Sequence, residues 1–295
     1  MNTEEGYRHL SAKFVAPSNT RGTFRRKLAM LALALPLAGF GGIERWFAPS
    51  KKLWPKWQAH IESASTRIDH AAWNAILGQY LVVGDINRFR YSKVTSADRR
   101  ALKTYLVRMS GIRIGAFRRA EQLAYWVNLY NSLTVDLVLD RYPVSSIRDI
   151  AISPGLFSSG PWDKALIRVE GEPMTLNDIE HRILRPIWQD ARLHYVLNCA
   201  SLGCPSLPPI ALTAENANDF MEAGAVAFIN GHGTRIENEK LAVSSLYSWF
   251  IEDFGNDEAG VLAHFRRHAR APLLDRLTGR TRIDDDFYDW SLNDA

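Results

Sequence analysis

Several absences narrow the reading of this chain. Two cysteines, Cys199 and Cys204, in 295 residues cannot build a disulfide scaffold. The body of the chain also lacks a cationic surplus. Residues 1–50 hold seven of the 36 Lys/Arg and three of the 32 Asp/Glu, which leaves 29 of each sign over the remaining 245 residues. Neutralising phosphates needs an excess of cations on one face, so the composition argues against nucleic acid as a partner. An HExxH zinc motif, an internal repeat and a Pro/Gly-rich linker through the body are likewise missing. With 46% apolar and 23% charged residues, what remains is ordinary globular composition. A chain of this size buries on the order of 75% of its unfolded surface without staples.

Near the N-terminus, Arg25-Arg26-Lys27 precede a run without charge, Leu28 to Ile43. A basic n-region followed by an apolar h-region is the layout of a secretory signal. The sixteen residues of the run give roughly 24 Å of helix at about 1.5 Å each, short of the ~30 Å hydrocarbon core, and Pro36 with Gly39, Gly41 and Gly42 weakens its far end. Residues 1–48 are therefore expected to be a signal peptide or an N-terminal anchor, with membrane attachment through 28–43. The chain would be exported, ending periplasmic or tethered to the inner membrane. Arg25-Arg26 also resembles a twin-arginine signal, with the usual apolar pair after it matched in part by Leu28, so both export routes stay open.

From residue 51 the pattern predicts one globular domain to residue 295. Apolar spacing predicts helices over Trp57–Leu77 and after the N-cap signal Thr95-Ser96-Ala97-Asp98, with the strongest over Ala120–Leu139 until Tyr142-Pro143 stops it. Ala165–Val169 and Pro173-Met174 flank the turn Glu170-Gly171-Glu172 as a hairpin. Thr175 and Asp178 have capping-box spacing and open a short helix through Leu184 that Pro186 soon ends. Leu193–Leu197 reads as β-compatible, Phe220–Ile229 and Ser245–Phe254 as helices, and Arg235-Ile236 with Leu241–Val243 as a second hairpin. Helices interleaved with hairpins predict α+β: a helix-rich single domain with a small antiparallel sheet built from hairpins.

Four stretches in this order, AYWVNLYNSLTV (124–135), TLNDIEHRILRP (175–186), HYVLNCASLGCPSL (194–207) and SSLYSWFIEDFG (244–255), resemble the bacterial members of the domain-of-unknown-function 547 family, from about Leu53 onward. The resemblance implies no activity, because the family's own is unassigned.

Chemistry has one constellation to start from. Cys204 precedes Pro205 in an irregular loop, with His194 ten residues earlier and His181 upstream. A thiol nucleophile needs an imidazole in reach to hold it as thiolate and a carboxylate or amide to orient that imidazole. Glu180, Asn128, Asn131 and Asn198 are available as orienters. The expectation is a Cys/His hydrolase or acyl-transferase on an amide or ester, a small molecule or envelope substrate. Cys204 would be its nucleophile, His181 or His194 its base, and backbone N–H groups near Cys204 its oxyanion donors. No cofactor is expected. The alternative is a non-catalytic envelope binding domain in which Cys199 and Cys204 are bridged; Cys₂His₂ metal binding with His181 and His194 ranks below both, since the spacings fit no compact zinc module. Asn128 and Asn131 share a helix face and, like Asn198 and Cys199, either anchor a loop backbone or line a pocket. His264 and His268 are expected at the surface and His232 in a turn.

Overall fold

The computed structural model describes residues 40, 49–154 and 160–295. Contacts divide the chain into Met1–Pro36 and Leu37–Ala295, and the described residues all belong to the second unit. The export segment, Phe40 apart, and the loop residues 155–159 thus lie outside the described residues. Among the described residues no helix is long and apolar enough to cross a membrane.

The architecture is α+β and helix-rich. Helices α1 (Ala71–Tyr80), α2 (Ser96–Ser110) and α3 (Arg119–Arg141) carry the first half of the core. Thr95 caps α2 by accepting from the Asp98 backbone N–H at 3.1 Å, as its sequence predicts. Almost every side chain from Glu121 to Val135 in α3 is buried, so this helix runs through the core rather than over it. Two of its hydroxyls are satisfied within the helix: Ser132 donates to the Leu129 carbonyl and Thr134 to that of Tyr130. The helix expected over Trp57–Leu77 is instead a 3-10 turn at Pro55–Gln58, an irregular stretch, and α1. Pro55 starts that turn, and Trp57 packs edge-on against Trp126 of α3, so tertiary contact rather than periodicity sets the segment.

Both hairpins form. β3 (Ile167–Val169) pairs antiparallel with β4 (Glu172–Met174), and β5 (Thr234–Glu237) with β6 (Lys240–Ser244). A short antiparallel pair, β1 (Leu81–Val82) with β2 (Arg88–Phe89), precedes them. β7 (Asp285–Phe287) joins β6 in parallel, a pairing across some forty residues that no local pattern announces. The capping box at Thr175 is present, with Asp178 N–H donating to Thr175 Oγ1 at 2.9 Å and Thr175 N–H to Asp178 Oδ2 at 3.1 Å. The box opens a π-helical turn, Asp178–Leu184, running on into α4 (Arg185–Trp188). Pro186 does not end it. The Arg182 carbonyl that Pro186 cannot serve accepts from the Trp54 N–H at 2.9 Å instead, and that of His181 from Lys52.

Leu193–Leu197 is not a strand: Ala191–Tyr195 is a 3-10 turn capped by Asp190. The second half of the core gathers Tyr195, Phe228 of α5 (Ala217–Asn230), Val243, Tyr247 of α6 (Leu246–Trp249), and Phe265 of α7 (Glu258–His268), with the short α8 (Leu273–Leu277) beyond. His264 and His268, expected at the surface, face this core. Tyr195 and His264 share a 2.8 Å hydrogen bond, and His268 pairs with Glu222 at 3.0 Å.

Candidate functional site

The backbone from Val196 to Pro205 is held by amides on α3. Asn131 donates from Nδ2 to the Val196 carbonyl at 2.8 Å and accepts the Asn198 N–H at 2.9 Å. Asn128 grips Leu212 the same way, at 2.8 and 2.9 Å. Both are loop anchors. Asn198 continues the pattern, donating to the Pro205 carbonyl at 2.8 Å and accepting the Ala200 N–H at 2.9 Å. Asn131→Ala therefore leaves a buried carbonyl and a buried N–H unpaired, and is expected to cost roughly 2–4 kcal/mol. Urea denaturation checks this; a loss below ~1 kcal/mol would mean that water takes over both groups.

From the other side the C-terminal segment clamps the loop: Leu202 N–H donates to Ser291 O, Gly203 N–H to Asp289 O, and Asn293 N–H to Ala200 O, at 2.8 to 3.1 Å. A Cβ on Gly203 would come within 2.6 Å of the Asp289 nitrogen, so only glycine permits this approach. Ala200 has φ of 61°, left-handed for a residue with a side chain, a strain the clamps must hold.

This loop places the two thiols face to face, free, with sulfurs 3.0 Å apart. Cys199 is half-buried and Cys204, 5% exposed, sits behind it. The Tyr288 hydroxyl lies 3.0 Å and the Ser201 hydroxyl 3.2 Å from the Cys199 sulfur. Cys204 and these hydroxyls lower the Cys199 thiol against its burial and the charge of Glu180. Burial and the Cys199 charge push the Cys204 thiol well up, and the Cys199 N–H donates to the Cys204 sulfur at 3.0 Å. Burial and the two sulfurs also raise the Tyr288 phenol, which therefore stays a donor. Its ring packs at 4.7 Å on Trp249 and at 4.5 Å on Trp290.

The remaining candidates form a second cluster. His194 lies between two carboxylates, with Nε2 2.9 Å from Asp253 and Nδ1 3.6 Å from Glu180, its ring stacked on Phe250 at 4.6 Å. Burial works to lower His194, but the hydrogen bonds to Asp253 and Glu180 raise it. A carboxylate facing each nitrogen favours the imidazolium over the neutral ring. His181 is the opposite case. Arg185 has only donors, and its Nη1 sits 3.0 Å from His181 Nδ1, so that nitrogen is unprotonated. Burial takes His181 down to about 4, and the charge of Arg185 works in the same direction. Arg185 also donates to Glu252 at 2.7 Å and to Asp253. Burial alone would raise Glu180, yet the positive charges of His181, His194 and Arg185 bring it down to about 2. With His181 neutral above about pH 4, the cations that count at neutral pH are His194 and Arg185.

The quartet Cys204, His181, His194 and Glu180 thus falls into two groups. Among the described residues no hydrogen bond joins either imidazole to either thiol: the nitrogens of His194 face Asp253 and Glu180, and Nδ1 of His181 is committed to Arg185. Tyr130 on α3 lies between the groups, its phenol raised by burial and by the nearby Glu180, Cys199 and Cys204. The backbone oxyanion donors expected at Cys204 are also committed, since the N–H groups of Cys199, Ala200, Leu202, Gly203 and Cys204 all have acceptors within the fold. Among the described residues no group of three or more His, Cys, Asp or Glu is arranged to hold a metal ion. Two surface clefts of about 270 and 380 Å³ lie elsewhere, beside Ile229 and Arg270 and between Leu106 and Leu137.

Sequence reasoning missed Ser201, Tyr288, Arg185 and Asp253. Arg185 stands four residues after His181 in a helical segment, a spacing that could have paired them; nothing local marks Tyr288, 89 residues from Cys199.

Residues 114–229 match the family described as "Protein of unknown function, DUF547". The DUF547 stretch runs from just before α3 to the end of α5 and includes both thiols, His181, His194, Glu180 and the anchoring amides. Asp253 and Tyr288 lie beyond it, as does the fourth of the motifs that carry the resemblance. No curated protein and no solved structure matches the chain.

Proposed function

We propose that the protein is a thiol-dependent hydrolase or acyl-transferase acting on an amide or ester, with Cys199 as nucleophile in place of Cys204. The observation that carries this reading is the sulfur of half-buried Cys199 with Cys204, Ser201 and Tyr288 within 3.2 Å, which favours its thiolate. A preformed thiolate needs no imidazole to take its proton. It adds to the carbonyl carbon, forming a C–S bond while the carbonyl electron pair moves to oxygen. The Ser201 and Tyr288 hydroxyls, no longer needed by an anionic sulfur, then donate to that oxyanion. The leaving amine or alcohol takes a proton from water as it departs, and the hydroxide so formed, or an acceptor alcohol or amine that gives its proton to it, cleaves the thioester and frees the Cys199 thiolate. Tyr288 keeps its proton throughout. The Glu180, His194, Asp253 and Arg185 network holds the neighbouring elements in place.

Brief alkylation with iodoacetamide at pH 7 followed by peptide mass spectrometry tests this. Cys199 is expected to label faster than a free cysteine, the fast phase to vanish in Cys199→Ser and to survive in Cys204→Ser, and Tyr288→Phe to move its midpoint to higher pH. Labelling confined to Cys204, or a Cys199 rate no greater than that of free cysteine, removes the enzyme reading in favour of a binding domain.

Residues 1–48 are proposed to direct export or membrane attachment, on the strength of Arg25-Arg26-Lys27 and the uncharged run behind them. A reporter active only outside the cytoplasm, fused after residue 52, should be active. Lysine at both Arg25 and Arg26 should silence it only if the route is the twin-arginine one, and a reporter silent from the outset rejects export.

A further inference from the structure

The second thiol has no task in the acyl-transfer reading, yet the loop holds it against the first. Their sulfurs are 3.0 Å apart, and the backbone between them is fixed on one side by Asn198 and on the other by Ser291, Asp289 and Asn293. The strained Ala200 in the middle of the loop adds a second sign that this contact is built rather than incidental. The two residues are also unequal in exposure: Cys199 is half-buried and Cys204 is buried. An incoming disulfide could meet only the first, and the second is placed to meet whatever forms there.

We propose that Cys199 and Cys204 form a reversible dithiol/disulfide couple that exchanges with disulfide-bearing compounds, Cys199 attacking first and Cys204 resolving. This rests on the reading of Cys199 as the reactive thiolate. In the first step the Cys199 thiolate attacks one sulfur of a substrate disulfide; a mixed disulfide forms, the substrate S–S bond breaks, and one substrate thiolate leaves. The negative charge that held the Cys204 proton is then gone, so Cys204 gives its proton to the departing thiolate. Its own thiolate attacks the Cys199 sulfur, forming the internal disulfide and expelling the second substrate thiolate, which takes a proton from water. Two electrons pass from the protein dithiol to the substrate disulfide, which is reduced to two thiols. The lowered Cys199 thiol and raised Cys204 thiol fit this order of events. Acyl transfer is off while the bridge is closed, because the nucleophile is consumed in it.

The full chain is equilibrated with graded ratios of oxidised and reduced glutathione, quenched in acid, alkylated with a maleimide and weighed by mass spectrometry. Unmodified protein should pass between two alkylated thiols and none in one reversible transition, with little glutathione adduct. Cys204→Ser should accumulate a glutathione adduct at Cys199, and Cys199→Ser should gain none at Cys204. Cys204→Ala serves if the serine variant misfolds, and the titration of the unmodified chain needs no variant. A Cys199 that alkylates rapidly but yields the stable adduct in the unmodified chain as well, or never bridges, overturns the couple alone. An unreactive Cys199 overturns both the couple and the thiol-enzyme reading.

Discussion

Arg185→Ala is expected to destabilise the protein by roughly 3–5 kcal/mol, the range for removing one partner of a buried ion pair. The side chain is 1% exposed, and its guanidinium bonds Glu252, Asp253, the Pro49 carbonyl and His181 Nδ1 while lying 4.6 Å from the Phe250 ring centroid. Without it, Asp253 keeps His194 and the part-exposed Lys51 ammonium at 3.0 Å, while Glu180 loses the Arg185 charge and, among the described residues, keeps the two imidazoles beside it. For a domain of 150–250 residues each kcal/mol is worth about 2–4 °C, so the thermal midpoint should fall by roughly 6–20 °C. Arg185→Lys should recover only part of the loss, because an ammonium cannot reproduce the planar fork that meets four acceptors in different directions. Thermal and urea unfolding of both variants measure this. A loss below ~1 kcal/mol would place the network in the class of exposed ion pairs.

That network shows where sequence reading reached and where it stopped. Local signals succeeded wherever local forces decide: Thr95 before α2, the Thr175–Asp178 box, the apolar repeat of α3, and the turns of both hairpins all appear where the pattern puts them. They failed where a distant partner overrides propensity. Leu193–Leu197 is apolar enough for a strand, but its carbonyl at Val196 and the N–H of Asn198 are claimed by Asn131, so no ladder can form there. Pro186 reads as a helix stop, and two backbone N–H groups arriving from Lys52 and Trp54 remove the reason for stopping. The candidate site divides in the same way. Residue types pointed to these cysteines, histidines and glutamate as candidates, and the fold places them in a thiol loop and a buried charge cluster. The partition of these residues into two groups depends on Tyr288 and Asp253, which reach the site from separate parts of the chain. Protonation states were beyond reach as well, since Arg185 decides one histidine and two carboxylates the other.

Those protonation states predict a steep acid sensitivity. His181 is taken down by burial to about 4, as is His70, and His264 to about 3, each from an ordinary 6.5. Between pH 6.5 and 4 the unfolded chain binds protons at these positions while the native protein does not, so stability falls as pH is lowered through this window. At about 1.4 kcal/mol per pKa unit each histidine accounts for on the order of 3 kcal/mol by pH 4, comparable in sum to the ~5–15 kcal/mol that holds a typical domain together. Glu180 acts next and with the same sign: its native value of about 2 against an ordinary 4.5 adds stability that is complete above pH 4.5 and is lost as pH falls toward 2. His194 has the opposite sign, because its pKa is raised; its contribution is present in acid and is lost only as pH rises through that raised value. Urea unfolding at half-unit steps from pH 7 to 4 should therefore show stability falling with a slope of more than one proton. His264→Gln should flatten that slope by close to one proton, since Tyr195 can still pair with an amide and nothing titrates in its place. Stability that stays level from pH 7 to 4 would show that these imidazoles reach water, and would also undo the assignment of His181 as neutral.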